Sequence, residues 1–226
     1  MSLIISDEDI VHLLKGTEKF RAQYFSKDKA NALYEKLVAE GQSPKTMVIA
    51  CSDSRVDPSI ILESQPGELF IVRNVANLVP PYDNDPKHHG TSAALEFAVQ
   101  TLQVSNIIIL GHSHCGGIRA LLASSPKPYT TEAHSFIDSW MKIAEVAKAI
   151  TLSECSHSDI SEKEKMCEEQ SLRISLKNLM TFPWIHERVA KGELHLYAWR
   201  FDLISGKIQC FNSASQQFED LAYVKD

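Results

Sequence analysis

Short runs of apolar residues alternate with longer mixed segments along most of the chain. Four of these runs are nearly continuous in apolar character, which is typical of strands that are buried on both faces of a sheet. They are residues 46–50, 69–72, 106–110 and 194–199. A fifth run, residues 208–211, follows a turn sequence at 205–207, and we expect it to return antiparallel beside the fourth strand.

The segments between these runs have the periodicity of helices. Leu95, Val99 and Leu102 fall on one face of a predicted helix over residues 91–102. Further helical patterns cover residues 117–123, 133–150 and 162–180. Because strands and helices alternate, the pattern predicts an α/β fold with a mostly parallel sheet.

The N-terminal part of the chain has a different character. Residues 7–40 are polar and favour two helices with a break near Ser26, and Gly41 and Pro44 are stop signals for the second helix. We therefore predict a single domain over residues 1–226, in which a helical arm (1–41) precedes an α/β core (42–226).

The composition argues against several classes of partner. Of the 226 residues, 44% are hydrophobic and 23% are charged, as in an ordinary globular protein, and the formal net charge is −6. An acidic chain is poorly suited to bind nucleic acid or anionic lipid, so neither is an expected partner. The five cysteines have no disulfide spacing, and no leader or membrane-spanning run is present, so a cytoplasmic location is expected.

Two motifs follow directly on predicted strands. CSDSR at residues 51–55 comes after the first strand, and GHSHCGG at residues 111–117 comes after the third. If these strands are neighbours, their carboxyl ends bring Cys51, His112 and Cys115 together. Two thiolates and an imidazole suit one zinc ion per chain, and three protein ligands leave a position open for catalysis. The alternative is that both cysteines are simply buried small hydrophobic residues.

In these motifs the chain resembles the β-class carbonic anhydrases. The matching stretches are CSDSRV (51–56), PGELFIVRNVANLVPPY (66–82) and GHSHCGGI (111–118). The resemblance implies a parallel sheet of strand order 2-1-3-4 with strand 5 as an antiparallel edge, flanked by helices. It also implies that the N-terminal arm wraps a partner subunit, giving a homodimer or a higher homo-oligomer such as a tetramer.

The resemblance also assigns roles to individual residues. Cys51, His112 and Cys115 would bind zinc, and Asp53 and Arg55 would form a catalytic pair beside it. The substrate-binding residues implied are Gln42, Phe70, Val75, Phe97 and Gly116, the last through its backbone N–H.

Two positions point to a branch within the family. Phe97 stands where the plant-like branch usually has Tyr, so a hydroxyl is missing from the pocket. Val48 is small where the bicarbonate-inhibited branch often has Trp, which favours the plant-like branch with an open site. Water rather than Asp53 would then take the fourth zinc position.

The activity implied is that of a lyase, the reversible hydration of CO2 to bicarbonate and a proton through zinc-bound hydroxide. Two alternatives remain open at this point. One is a hydrolase of a related small molecule, such as carbon disulfide, on the same scaffold. The other is a non-catalytic scaffold stabilised by zinc, or a thiol redox sensor, although Asp53, Arg55 and Gln42 would have no use in it.

Overall fold

The computed structural model describes residues 7–25, 32–85, 87–123 and 135–221. Contacts between residues divide the chain into two units, one that ends at Ser43 and one that begins at Pro44. No helix in these described ranges is both long enough and apolar enough to cross a membrane. The assignment of the two parts to an arm and a core of one domain stays a prediction.

The N-terminal unit contains two helices, α1 (Glu8–Tyr24) and α2 (Ala32–Glu40). The Asp7 side chain caps α1 by accepting a hydrogen bond from the N–H of Ile10 at 3.1 Å, a role that suits a short carboxylate. The two predicted helices are confirmed, and the expected break near Ser26 lies outside the described residues. Within this unit a cluster of aromatic rings packs with centroids 4.8 to 6.0 Å apart; its members are Phe20, Tyr24, Phe25 and Tyr34.

The C-terminal unit is built on a sheet with strand order β2-β1-β3-β4-β5-β6. Its strands are β1 (Thr46–Cys51), β2 (Leu69–Asn74), β3 (Asn106–His112), β4 (His195–Phe201), β5 (Ile208–Asn212) and β6 (Gln217–Asp220). The first four strands pair in parallel, and β5 runs antiparallel to β4. The predicted α/β class and the strand order 2-1-3-4 are confirmed.

Strand 5 was expected to form the edge of the sheet, and the structure differs. A further strand, β6, pairs antiparallel with β5, with Phe211 opposite Phe218. The sequence pattern missed β6 because Phe218 is the only apolar residue in its four-residue run. Its other side chains point to no buried face, so an apolar pattern was not required.

Helices cover the sheet and join its strands. They are α3 (Pro58–Ile61), α4 (Gly90–Glu96), α5 (Gly116–Ala123), α6 (Phe136–Met141), α7 (Glu145–Glu154), α8 (Ile160–Leu179) and α9 (Pro183–Ala190). The periodicity of the sequence did not predict α3 or α9. The continuous helix expected over 133–150 was wrong, because a 3₁₀ turn at Lys142–Ala144 separates α6 from α7; residues 133 and 134 lie outside the described ranges.

The core lies on both faces of β1 and β3. Met47, Ile49 and Ile107 face one side, and Val48 and Ile108 face the other, all of them buried. Each fully buried side chain of this size contributes about 1.5–3 kcal/mol through the hydrophobic effect. The two central strands are therefore rigid, and their carboxyl ends have fixed positions.

Candidate metal centre at the carboxyl edge of the sheet

Three sulfur and nitrogen ligands meet where the central strands end. β1 ends at Cys51 and its parallel neighbour β3 ends at His112, so both side chains lie at one edge of the sheet. Cys115 follows three residues after His112, immediately before α5. The ligand atoms of these three buried residues all lie within 4.8 Å of one another. The structure thus brings together the three residues that the sequence predicted as metal ligands.

The imidazole of His112 is oriented for binding a metal. Its Nδ1 lies 2.9 Å from the carbonyl oxygen of Ser113. Because a carbonyl oxygen only accepts hydrogen bonds, Nδ1 must carry a hydrogen, and in the neutral imidazole Nε2 then keeps its lone pair. Nε2 is buried and makes no hydrogen bond. A buried acceptor without a partner is costly, and a metal ion at this point would satisfy it.

A hydrogen bond between the two thiols favours a single thiolate, on Cys51. The hydrogen bond from Cys115 outweighs the effect of burial and lowers the pKa of Cys51 to about 4. The same hydrogen bond, together with burial, raises the pKa of Cys115. Burial acts to lower the pKa of His112, but the nearby Cys51 sulfur reverses this and the net shift is upward. A divalent cation would relieve this competition for protons, and zinc prefers a set of two thiolates and one imidazole.

Asp53 and Arg55 form a bidentate ion pair beside the ligands. Arg55 donates from Nε to Oδ1 of Asp53 at 2.9 Å and from Nη2 to Oδ2 at 2.7 Å. The backbone N–H of Arg55 also donates to Oδ1 at 3.0 Å. The Arg55 side chain thereby holds the pKa of Asp53 well below its usual range. Arg55 Nη2 reaches the carbonyl oxygen of His114 as well, at 3.1 Å, and so ties the two ligand loops together.

An arginine on β2 supports the first loop, a role that the sequence pattern does not specify. Arg73 donates to the carbonyl oxygen of Cys51 at 2.9 Å and to that of Asp53 at 2.7 Å. Its Nη1 also binds the Asp57 carboxylate at 3.0 Å. The available signal was a cation near the carboxyl end of a mostly apolar strand, but sequence alone does not show what it touches.

Two more residues were missed because they are distant in sequence. Glu168 on α8 accepts a hydrogen bond from the backbone N–H of Cys115 at 3.3 Å. Arg200 on β4 donates twice to the same carboxylate. In the sequence Glu168 is one of several acidic residues in a polar helix, so no local pattern separates it from a solvated side chain.

Two of the predicted substrate-binding residues contact each other, and the substrate pocket itself stays a prediction. Phe70 and Phe97 pack with ring centroids 5.8 Å apart. Val75 lies against the backbone of α5, where a Cβ added at Gly117 would be 3.1 Å from its Cγ1. Val75 and Phe97 remain 37% and 43% exposed, which leaves apolar surface in the C-terminal unit.

Gly116 and Gln42 stay predictions as substrate-binding residues. Gly116 is the first residue of α5, and a Cβ added there would meet no atom within 4 Å, so space does not require glycine. Gln42 is exposed and belongs to the N-terminal unit.

Comparison with known proteins decides the family. A sequence profile described as carbonic anhydrase matches residues 46–208. Beta carbonic anhydrase 3 of Arabidopsis thaliana is 40% identical over 199 residues, which cover 88% of this chain and 75% of that protein. The chain belongs to the β-carbonic anhydrase family. Beta carbonic anhydrase 6, mitochondrial, of the same plant is 42% identical over 84% of this chain, and the match spans 64% of that relative's length.

Solved structures of β-carbonic anhydrases share the fold. The β-carbonic anhydrase CcaA superposes with a TM-score of 0.85 at 33% identity, covering 96% of this chain and 94% of that one. One of two tetrameric β-carbonic anhydrases from the ascomycete Sordaria macrospora superposes with a TM-score of 0.76 at 30% identity, covering 91% and 98%. The predicted membership of the β class is confirmed.

Proposed function

We propose that this member of the β-carbonic anhydrase family is a zinc enzyme that interconverts CO2 and bicarbonate. The observation that carries the proposal is the buried group Cys51, His112 and Cys115 with an ionised carboxylate, Asp53, held beside it. A site that served only to stabilise the fold would gain nothing from that carboxylate. These three residues would hold the zinc ion.

A zinc ion bound there would supply a Lewis acid that lowers the pKa of water, as zinc does in carbonic anhydrases. The protein orients the carboxylate of Asp53. Arg55 engages both oxygens of Asp53, so the carboxylate stays ionised and its position is set. Oδ2 accepts a single side-chain hydrogen bond from Arg55 and so retains a lone pair for a hydrogen of the attacking water. This directs the lone pair of the water oxygen towards the carbon of CO2.

The apolar residues suit a substrate without a net dipole. Phe70, Phe97 and Val75 are proposed to receive CO2, and they offer it no competing hydrogen bond. Bicarbonate, the charged product, is held less well by such surface and is expected to leave. Phe97 in place of the usual tyrosine makes this pocket more apolar. The plant-like, open-site branch is the proposed subgroup, since both oxygens of Asp53 are engaged by Arg55.

We also propose that the protein works as a homo-oligomer. The relative from Sordaria macrospora is described as tetrameric, and Val75 and Phe97 leave apolar surface in reach of a second copy. A dimer or a tetramer would bury it. The cytoplasmic location stays a prediction, and one relative is mitochondrial by name.

Stopped-flow measurement of CO2 hydration, on protein whose zinc content has been assayed, tests the proposed activity. We expect Cys51→Ser to lose both zinc and hydration. Cys167→Ser is the matched control, because Cys167 is equally buried in the same apolar cluster but is not part of the metal group. It should keep one zinc per chain and its activity.

Assays on the same zinc-assayed protein distinguish the proposed activity from the two alternative functions. Hydrogen sulfide released from carbon disulfide, without hydration of CO2, would favour the related hydrolase. One zinc per chain with neither activity would favour a non-catalytic scaffold. Equal loss of activity in Cys51→Ser and Cys167→Ser would contradict the assignment of the metal ligands.

A further inference from the structure

A buried ion pair lies behind the loop that carries two of the proposed metal ligands. Glu168 on α8 and Arg200 on β4 are 4% and 5% exposed. Arg200 donates to Oε2 of Glu168 from Nε at 3.1 Å and from Nη2 at 2.9 Å. The other carboxylate oxygen, Oε1, accepts the backbone N–H of Cys115 at 3.3 Å. A chain of hydrogen bonds thus runs from the sheet through a helix to a ligand.

The main chain at Cys115 is held on both sides. Cys115 stands immediately before α5, where its N–H has no partner within that helix. Its carbonyl oxygen accepts the N–H of Arg119 at 3.0 Å and so begins the hydrogen-bonding of α5. With the N–H bound to Glu168, the peptide units on both sides of the ligand are fixed. The residue before it, His114, has a left-handed φ of 57°, so the loop turns sharply here.

Stability alone does not account for this pair. Removing two charges from water is costly, and replacing a buried ion pair by apolar residues of similar volume is often neutral or stabilising. The pair therefore gives the fold little that leucine and methionine could not give. What apolar residues cannot provide is an acceptor for the N–H of Cys115.

We propose that Glu168 is a positioning residue that sets the approach of the Cys115 sulfur to the metal, with Arg200 orienting its carboxylate. This inference rests on the proposed metal centre. Glu168 acts through the backbone of Cys115 and touches neither the substrate nor the reacting atoms. Removing a hydrogen bond that supports a metal ligand in this way typically changes metal affinity by about 10–100-fold.

Two double variants separate the hydrogen bond from the charges. Glu168→Gln with Arg200→Met removes both charges but keeps an amide oxygen that can accept the N–H of Cys115. Glu168→Leu with Arg200→Met removes the charges and the acceptor. Ser175→Ala is the control on the same helix: its buried hydroxyl accepts the N–H of Val79 at 3.2 Å and lies away from the ligand loop.

The measurements are the rate of zinc loss to a chelator and the visible absorption of the Co2+-substituted protein. We expect the Leu/Met variant to lose zinc about tenfold faster than wild type and to shift the thiolate-to-cobalt bands. The Gln/Met variant and Ser175→Ala should resemble wild type in both. Hydration of CO2 is not needed as a readout.

Equal zinc loss and equal spectra in both double variants would overturn the positioning role, as would an equal effect of Ser175→Ala. If the Leu/Met variant does not fold, Glu168→Gln alone replaces it. Arg200 then requires the amide oxygen, which turns the amide NH2 towards the N–H of Cys115, and zinc loss faster than in the Gln/Met variant is expected. The same rate in both would again overturn the role. A wild-type protein that binds no zinc would instead contradict the metal centre itself.

Discussion

Replacing Arg73 by methionine should damage the site more than it damages the fold. Methionine keeps much of the length and apolar contact of arginine but donates no hydrogen bonds. The variant therefore removes the three contacts of Arg73, those to the carbonyl oxygens of Cys51 and Asp53 and to the carboxylate of Asp57. The loop they support carries the proposed metal ligand Cys51 and the carboxylate of Asp53, for which a catalytic role is proposed.

The expected cost in unfolding free energy follows from the burial of each acceptor. Cys51 is 5% exposed, so its carbonyl oxygen finds little water, and losing a charged donor there costs about 1.5–3 kcal/mol. The Asp57 side chain is 38% exposed and the Asp53 carbonyl lies in a surface loop, so these two contacts add together only about 1 kcal/mol. The total is about 2.5–4 kcal/mol. Urea unfolding at neutral pH measures it.

Arg188→Met is a matched control outside the site. Arg188 on α9 also donates to two carbonyl oxygens, those of Val99 at 2.9 Å and Glu193 at 3.2 Å, and lies beside the Glu193 carboxylate. Its loss should cost a similar amount of stability without moving a metal ligand. We expect CO2 hydration per bound zinc to fall about 10–100-fold in Arg73→Met and to be unchanged in Arg188→Met. Wild-type turnover per zinc in Arg73→Met would refute the claim that this arginine positions the loop.

Three further predictions concern single positions. Arg55→Lys should lower CO2 hydration by more than about tenfold, because lysine cannot bind both oxygens of Asp53, while unfolding in urea stays close to wild type because this side chain is 53% exposed; full turnover would contradict the role of the pair. Gly111→Ala places a Cβ 3.1 Å from two methyl carbons of buried Leu172 and should cost about 1–3 kcal/mol in the same assay, and an unchanged midpoint would show that Leu172 can move. The hydrogen bond from the backbone N–H of Ser205 is the main cause of a lowered pKa of the Asp202 carboxyl. The ionised carboxylate therefore stabilises the fold fully above pH ~4, and this stabilisation is lost as the pH falls through the pKa of the folded state. The stability difference between wild type and Asp202→Ala should therefore shrink in acid, and a difference that grew would reverse the assigned sign.

Much of the fold was predictable because its central strands are buried on both faces. The apolar runs that became β1 and β3 had to be continuous, and such continuity is visible in a sequence. β6 and α9 were missed for the opposite reason. β6 contributes a single apolar side chain, Phe218, and α9 begins at Pro183 after a short turn, so neither has a long periodic pattern.

The three proposed metal ligands could be predicted because their residue types and their places at the ends of strands both point to one site. Cysteine and histidine at the ends of two strands form a local pattern, and parallel strands have their carboxyl ends at one edge. The residues that support them leave no such pattern. Arg73, Glu168 and Arg200 come from β2, α8 and β4, and each looks in the sequence like an ordinary charged residue.

By itself, the sequence determined the class of fold, the strand order implied by its family and the three side chains able to bind zinc, because these depend on residue type and local spacing. Only the tertiary structure decided which distant side chains form hydrogen bonds with the backbone of those residues. A hydrogen bond forms wherever folding brings a donor to an acceptor, and the Cys115 N–H and the Glu168 carboxylate are separated by 53 positions in the chain. Such a pair exists only once a helix and a strand end have packed together.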